Sequence, residues 1–383
     1  MSVNIISKKE ARAIIISSQK LSGQFGLKSK DRLLKIIESI GYVQIDTISV
    51  VERSHHHILW TRLPGYKKQM LDDLLETDKS IFEYWSHAAA YLPMKYYRYS
   101  LIRKNNYSRR NKDWEKSNKK ILKFVYDRIS SEGPLQSKDF EDKKSKSTGW
   151  WDWKPSKNAL DFLFHKGELM IKARKGFQKV YDLTERVLPD NVDTSIPSES
   201  EFYEHLILSS VNSNGFASIR EITYSRRFDR IKFAMTLNRM LEEKSIQRIN
   251  ISGLPDEYFT TGEILNISGK LKSKVVHILS PFDNLIIQRK RLKDIFDFDY
   301  TIECYVPEAK RIFGYFIMPV LYGDKFIARI DAKADRANDT FVIKNIFPEG
   351  KPVSRNALSG KLKSLSEFCG CNNISGLTQF LKK

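Results

Sequence analysis

The same order of sequence patterns occurs twice in the middle of the chain, and this repeat restricts the possible folds more than any other feature. In the first copy a predicted helix at 118–131 and a short element at 135–140 precede a helix at 157–166 and the hairpin pattern LMIKARKGFQKVYDL. The second copy has the same order at 199–211, 219–223, 230–243 and IQRINISGLPDEYFTT. This is the order of a winged helix-turn-helix, whose last helix can enter a DNA major groove.

The two copies lie between a looser third copy and a β-rich end. The first hundred residues fit the same order less closely, and 190–199 reads as a linker. From Lys274 onward the strand-like runs are KVVHIL, LIIQ, YTIECYV, YFIMPVLYG, KFIARIDA and TFVIKNIF, with a last helix near 355–368. We predict an α+β chain of tandem winged-helix modules followed by a β-rich, barrel-like C-terminal domain. The predicted domains are 1–113, 114–190, 191–265 and 266–383.

Capping signals predict the helices near the N-terminus. Ser7 and Glu10 have the spacing of a capping box for a helix at 7–21, and Gly41 is placed to end a helix at 30–40. Ser49 and Glu52 have the same spacing and predict a third helix over 50–62.

Between the second and third helices, the stretch GYVQIDTIS has the alternation of a strand. Gln44 and Asp46 are two residues apart, which places both on one face at a separation of roughly 7 Å. The pattern by itself is typical of a polar strand face, with Asp46 capping the next turn. A site is the other interpretation.

The charge indicates a polyanionic partner. The 383 residues include 65 Lys and Arg against 46 Asp and Glu, a formal net charge of +19. Residues 98–128 hold eleven basic and three acidic residues, with Tyr99, Tyr107, Trp114 and Phe124 between them. A solvated helical face is one explanation, and a surface that follows phosphates is the one that the net charge favours.

Several classes of function lack their sequence signals. His55, His56 and His57 are adjacent on a predicted helix, where side chains diverge by about 100° and cannot all bind one metal. The chain has neither a P-loop nor a G-x-G-x-x-G motif, and its cysteines, Cys304, Cys369 and Cys371, have no zinc spacing. No signal peptide or membrane span is apparent. We therefore expect a cytoplasmic protein without metal or cofactor, with a membrane surface as a weaker alternative partner.

The string GYVQIDTISVVERSHHHILWTR resembles the signature of the winged-helix interstrand-crosslink DNA glycosylases, the YcaQ-like family that includes the azinomycin-resistance glycosylase. Further stretches resemble the same family in the same order along the chain. They are EYWSHAA at 83–89, WWDW at 150–153, LFHKGEL at 163–169, SPFD at 280–283, FDY at 298–300, YGD at 322–324 and RID at 329–331. Without the resemblance, the tryptophans at 150–153 are better explained by packing than by base stacking.

The resemblance implies a monofunctional glycosylase that excises N7-alkylated purines and unhooks interstrand crosslinks. The family's catalytic Q-x-D falls on Gln44 and Asp46, which would position and activate water, with Arg53 and Arg62 keeping Asp46 charged. The expected DNA contacts are Arg53, His55, His56, Arg62, His87, Arg109 and Arg110. The expected partner is duplex DNA with alkylated or crosslinked purines, bound by a monomer at an open site with little base flipping.

Two other functions fit parts of the sequence. A winged-helix transcription regulator would use the same modules without catalysis, although such regulators usually bind as symmetric dimers and the chain has no evident dimerisation helix. An RNA-binding protein fits less well, because no aromatic RNA-recognition motif is present.

Overall fold

The computed structural model describes residues 4–23, 29–140, 155–265, 275–350 and 355–377. The tryptophan stretch at 150–153 lies outside the described residues. The chain forms two compact units: the first contains Met1–Tyr66 and Tyr203–Lys383, and the second contains Lys67–Phe202.

The helices in chain order are α1 (Lys8–Ser18), α2 (Lys30–Ile40), α3 (Ser54–Arg62), α4 (Lys68–Glu76), α5 (Tyr97–Arg110), α6 (Lys112–Ser117), α7 (Lys119–Glu132), α8 (Pro155–Lys166), α9 (Thr184–Val187), α10 (Glu199–Asn214), α11 (Ile219–Ile222), α12 (Arg230–Glu242), α13 (Gly262–Leu265), α14 (Asn284–Ile287), α15 (Arg289–Phe296) and α16 (Arg355–Phe368). Short 3-10 turns lie at Met94–Tyr96, Ser137–Phe140, Glu308–Lys310 and Arg336–Asn338.

The strands are β1 (Asn4–Ile6), β2 (Val43–Gln44), β3 (Ile81–Trp85), β4 (Ala89–Pro93), β5 (Leu135–Gln136), β6 (Leu169–Lys175), β7 (Gln178–Leu183), β8 (Gln247–Ile251), β9 (Glu257–Thr260), β10 (Val276–Ile278), β11 (Ile317–Tyr322), β12 (Lys325–Asp335), β13 (Thr340–Pro348) and β14 (Asn373–Ser375).

The second unit contains the first copy of the repeat, with α7, the 3-10 turn Ser137–Phe140, α8 and the β6–β7 hairpin in the predicted order. Gly176 and Phe177 turn the hairpin with φ of +55° and +70°, the positive values that a two-residue turn between twisted strands requires. β7 lies between β5 and β6 in a three-stranded sheet. One face of α8 packs with α7 and this sheet around the buried Leu160, Leu163, Val125, Ile171 and Tyr181.

The first unit contains the second copy from Tyr203 of α10 onward, with α11, α12 and the β8–β9 hairpin following in the predicted order. Ala217, between α10 and α11, pairs with Phe259 of β9, and β1 adds to the other edge of the hairpin as a parallel neighbour of β8. The capping box at Ser7 and Glu10 forms as predicted, with Glu10 N–H donating to Ser7 Oγ at 3.2 Å and Ser7 N–H to Glu10 at 2.8 Å.

The C-terminal part of the first unit is β-rich, as predicted. Its five-stranded sheet has the order β10-β11-β12-β13-β14, antiparallel except for the last pair. Gly323 and Asp324 make the tight turn between the paired residues Tyr322 and Lys325.

Two of the predicted C-terminal strands are wrong. The run LIIQ belongs to the short helix α14, whose first turn is capped by the Asp283 carboxylate accepting from Leu285 N–H at 3.0 Å. The run YTIECYV contains no strand. Its Glu303 is only 5 % exposed and accepts backbone N–H groups of Ile312, Phe313 and Gly314 at 2.9, 2.8 and 3.0 Å. That carboxylate organises a loop where the apolar pattern indicates a strand.

Candidate active site

The segment from Gly41 to Arg53 carries Gln44 and Asp46 and connects α2 to α3. Gly41 leaves α2 with a φ of +80°, a conformation that glycine adopts at little cost. Val43 is 0 % exposed and Gln44 is 6 % exposed, so β2 holds both in a buried environment. The strand ends at Gln44, which makes the longer alternating strand predicted from the sequence wrong beyond that residue.

A buried asparagine anchors the chain just before β2. Asn284 is 5 % exposed and donates through Nδ2 to the carbonyl oxygens of Ile40 at 3.2 Å and Tyr42 at 2.9 Å. It directly follows the SPFD stretch at 280–283. The two hydrogen bonds fix where the chain leaves α2, and they therefore position Gln44.

The other end of the segment is bound to the end of β12. Ala334 N–H donates to Val50 O at 2.9 Å, and Arg336 Nη2 donates to Val51 O at 2.6 Å. Arg336 also pairs with the buried Glu52 at 3.3 Å. With Val50 and Glu52 engaged in this way, the predicted capping box does not form and α3 begins at Ser54 instead of near Val50.

Asp46 lies in the anchored loop with part of its carboxyl group available. Its Oδ1 accepts Ile48 N–H at 2.7 Å, which closes a local turn. Burial raises the pKa of Asp46 above its ordinary value, against the lowering effects of that hydrogen bond and of the Arg53 charge. The expectation that neighbouring arginines lower its pKa is therefore wrong in direction, because desolvation outweighs Arg53. A carboxylate with a raised pKa accepts a proton more readily than an exposed one.

Two residues that the sequence does not mark as functional lie within the electrostatic range of Asp46. Burial and the Asp46 charge raise the pKa of the Cys304 thiol and of the Tyr305 hydroxyl, and Arg289 acts on both in the opposite direction. Tyr305 is 72 % exposed and Cys304 is buried. They belong to the run YTIECYV, whose apolar pattern indicates a strand and gives no signal of a site.

Arg62 has a structural role, and the structure does not support its predicted DNA contact. It is 1 % exposed and forms a bidentate pair with Asp283, at 2.6 Å from Nη1 and 2.8 Å from Nη2. Its remaining donors reach Gln19 O at 2.9 Å, Gln19 Oε1 at 3.1 Å and Ile58 O at 3.1 Å. A guanidinium surrounded in this way has no face left for a phosphate or a base.

The three histidines have different environments. His57 is 0 % exposed and donates through Nε2 to Ile278 O at 2.9 Å, and burial lowers its pKa to about 4. His55 is 2 % exposed, so the structure does not support its predicted DNA contact. His56 is half-buried and shares a 2.8 Å hydrogen bond between Nδ1 and the Tyr66 hydroxyl. His56 is the one of the three with a surface that a ligand can reach.

The remaining predicted DNA contacts keep exposed or half-buried side chains. Arg53 is half-buried and donates through Nη1 to Thr47 O at 3.3 Å. In the second unit, His87 is half-buried in the loop between β3 and β4, and Arg109 and Arg110 are exposed at the end of α5.

Most of the basic stretch 98–128 is exposed on α5, α6 and α7, and Lys104 is the main exception. Lys104 is 3 % exposed, with its ammonium 4.0 Å from the Tyr97 ring centroid, and burial lowers its pKa to about 7. Of the interleaved aromatics, Trp114 stacks on Phe162 at 4.8 Å. Lys104 and Trp114 therefore contribute to packing. The exposed cations of this stretch form a surface that suits a polyanion. The exposed cations are Arg103, Arg109, Arg110, Lys112, Lys116, Lys119, Lys120 and Lys123.

Neither a metal cluster nor a membrane span is found in the described parts of the chain. Across those ranges, no three His, Cys, Asp or Glu side chains come together as a metal site, and the three cysteines form no disulfide bond. None of the described helices combines the length and apolar character needed to cross a bilayer.

Two comparisons with known proteins give the same result. The sequence model of one protein family, described as "DNA glycosylase AlkZ-like", matches residues 37–368. Among solved structures, the Streptomyces sahachiroi DNA glycosylase AlkZ is similar, with a TM-score of 0.63 and 13 % identity over 96 % of this chain and 98 % of that one. At this identity the structural likeness shows a common fold, and the family match confirms the resemblance predicted from the sequence.

Proposed function

The chain belongs to the AlkZ-like DNA glycosylase family, and from that premise we propose that it hydrolyses the N-glycosidic bond of N7-alkylated purines and unhooks DNA interstrand crosslinks. The observation that carries the proposal is the half-buried Asp46 carboxylate, with its raised pKa, two residues after the buried Gln44 on a segment anchored at both ends. The enzyme acts as a monomer on duplex DNA, without a cofactor.

The proposed chemistry matches what this site offers. N7-alkylation gives the purine a positive charge, so the base leaves as a neutral molecule when it takes the electron pair of its bond to C1′. The sugar develops oxocarbenium character, which the Asp46 carboxylate stabilises. Gln44 orients a water whose oxygen bonds to C1′, and Asp46 accepts the proton that this water loses. The steps need no lysine nucleophile, and the enzyme is therefore monofunctional.

The remaining predicted contacts complete the proposal. Arg53, His56, His87, Arg109 and Arg110 contact the DNA, and the exposed cations of α5, α6 and α7 hold its backbone. Asp46 is half-buried and Tyr305 is exposed, which favours an open site that accepts a bulky crosslinked base with little flipping.

We also propose that the four predicted domains are the functional modules, with winged helices at 1–113, 114–190 and 191–265 and a β-rich domain at 266–383. The three-stranded sheet of β5, β7 and β6 after two helices supports this for the second module. In the third module, α12 keeps an exposed face with Ile231 at 74 % and Met235 at 66 % exposure, as expected of a helix that enters a groove.

A base-release assay tests the proposed function. The protein is incubated with a duplex that contains one N7-methylguanine or one nitrogen-mustard crosslink, and the abasic product is cleaved with alkali. We expect alkali-dependent strand scission well above the protein-free control and none before alkali. A protein that binds the duplex and releases no base would instead be the transcription regulator.

The pH dependence of base release reports on Asp46. Only its carboxylate accepts a proton, and burial raises its pKa. The single-turnover rate should therefore fall as pH falls through this raised value, so that the acidic limb lies above the ordinary aspartate pKa of 3.8. Duplex binding and folding are measured at each pH, and the protein-free rate is subtracted. A rate that stays constant until the protein unfolds would exclude Asp46 as the base.

A further inference from the structure

A small, basic cavity lies in the first unit among α11, the loop before β9 and the first turn of α15. Its volume is about 180 Å³. That is below the roughly 300–1,000 Å³ of pockets for drug-sized ligands and several times the roughly 30 Å³ of a water molecule. The cavity therefore suits a small group rather than a whole nucleotide.

Ion pairs hold the walls of the cavity in place. Arg291, which is 3 % exposed, donates to Glu221 at 2.7 and 2.9 Å and so joins α15 to α11. Lys290 pairs with Asp256 at 2.6 Å and with Asp294, which joins α15 to the β8–β9 loop. The cavity is thus formed before any ligand arrives.

These pairs leave positive charge in the lining. Its cations are Arg220, Arg289, Lys290 and Arg291, and its carboxylates are those of Glu221, Asp256 and Asp294. Lys290 and Arg291 are bound to all three carboxylates. Among the described residues no carboxylate pairs with Arg220 or Arg289, and both side chains are exposed. Two uncompensated guanidinium groups beside one cavity favour an anion, and their planar donors match phosphate oxygens.

We propose that this cavity binds one backbone phosphodiester of the DNA strand that carries the damaged base, through Arg220 and Arg289. The location supports this assignment, because Arg289 begins α15 directly after α14. Asn284 of α14 donates to the carbonyl oxygens of Ile40 and Tyr42, just before Gln44. The cavity is therefore attached to the element that anchors the candidate active-site segment. A phosphate held there would fix the register of the strand relative to Gln44 and Asp46. This inference rests on the proposed function for the identity of the strand.

Salt-dependent duplex binding tests the proposal without requiring catalysis. The variants are Arg220→Gln, Arg289→Gln and their combination, and the control is Lys293→Gln, an exposed residue of α15 outside the cavity that pairs with Asp299. Each cavity variant should weaken duplex binding by roughly tenfold at low salt. Because both arginines hold one phosphate, the double variant should reduce the slope of log K against log salt by about one, not two. The control should change neither quantity.

Duplexes with a single neutral methylphosphonate, moved along the damaged strand, locate the phosphate. Wild type should lose affinity at one position near the damaged base, and the double variant should show no loss at that position. The proposal would be overturned if the cavity variants bound the duplex as tightly as wild type does. It would also be overturned if wild type bound every methylphosphonate duplex with the same affinity. Variants that lose affinity for inorganic phosphate and keep duplex affinity would assign the cavity to a free anion. Absence of base release by wild type would count against the proposed function alone.

Discussion

Replacing Asp46 with asparagine is expected to slow the release of N7-methylguanine by about 10²- to 10⁴-fold under single-turnover conditions, the usual contribution of a general base. Asparagine keeps the shape of the side chain and an oxygen that can accept the Ile48 N–H, which lies 2.7 Å from Oδ1. It removes the charge that stabilises the cationic sugar and the group that takes the proton from water. Duplex affinity should change little, because binding depends on cations spread over the surface.

Asp190→Asn is the matched control, because it makes the same chemical change at an exposed position of the 190–199 linker. It should release base as fast as wild type. Gln44→Ala should also slow the reaction, since the amide that orients the water is lost. Full activity in Asp46→Asn would show that the catalytic assignment is wrong even if wild type is a glycosylase.

Local sequence patterns predict helices well where no distant residue binds the same segment of the chain. The capping boxes at Ser7–Glu10 and Ser49–Glu52 look equivalent in the sequence. The first forms, and the second does not, because Val50, Val51 and Glu52 are bound by Ala334 at the end of β12 and by Arg336 in the turn after it, about 285 positions away. Short apolar runs are ambiguous for a different reason, because their periodicity alone does not separate a strand from a short helix. The run LIIQ is helical next to its Asp283 cap.

The candidate site was only partly visible in the sequence. The spacing of Gln44 and Asp46 is readable, and the family resemblance gives it meaning. Burial is a tertiary property, and it reverses the expected direction of the Asp46 pKa. Burial also places Arg62 in the interior, where Asp283 lies 2.6 Å from its guanidinium. No local pattern in the sequence reveals that pairing. Cys304 and Tyr305 come within the electrostatic range of Asp46 only through long-range folding.

Replacing Asp283 with asparagine is expected to destabilise the first unit by about 3–5 kcal/mol, the usual result of removing one partner from a buried ion pair. Both side chains of the Arg62–Asp283 pair are 0 % exposed, so the variant leaves a buried guanidinium without its counter-charge. Trp60 lies in the same unit, and its resonance in 5-fluorotryptophan-labelled protein would follow urea unfolding of that unit.

Asp299→Asn is the control for this prediction, because its pair with Lys293 has side chains 69 % and 65 % exposed and solvent screening leaves such a pair little effect on stability. A double-mutant cycle with Arg62→Met should show strong coupling, the double variant losing less than the sum of the single variants. Equal losses of stability in Asp283→Asn and Asp299→Asn would show that the buried pair has no special role.

Because Asn284 follows Asp283 and binds Ile40 and Tyr42, a weakened pair should also loosen the segment that carries Gln44. Base release by the folded fraction of Asp283→Asn should therefore be slower than that of wild type, whereas Asp299→Asn should match wild type.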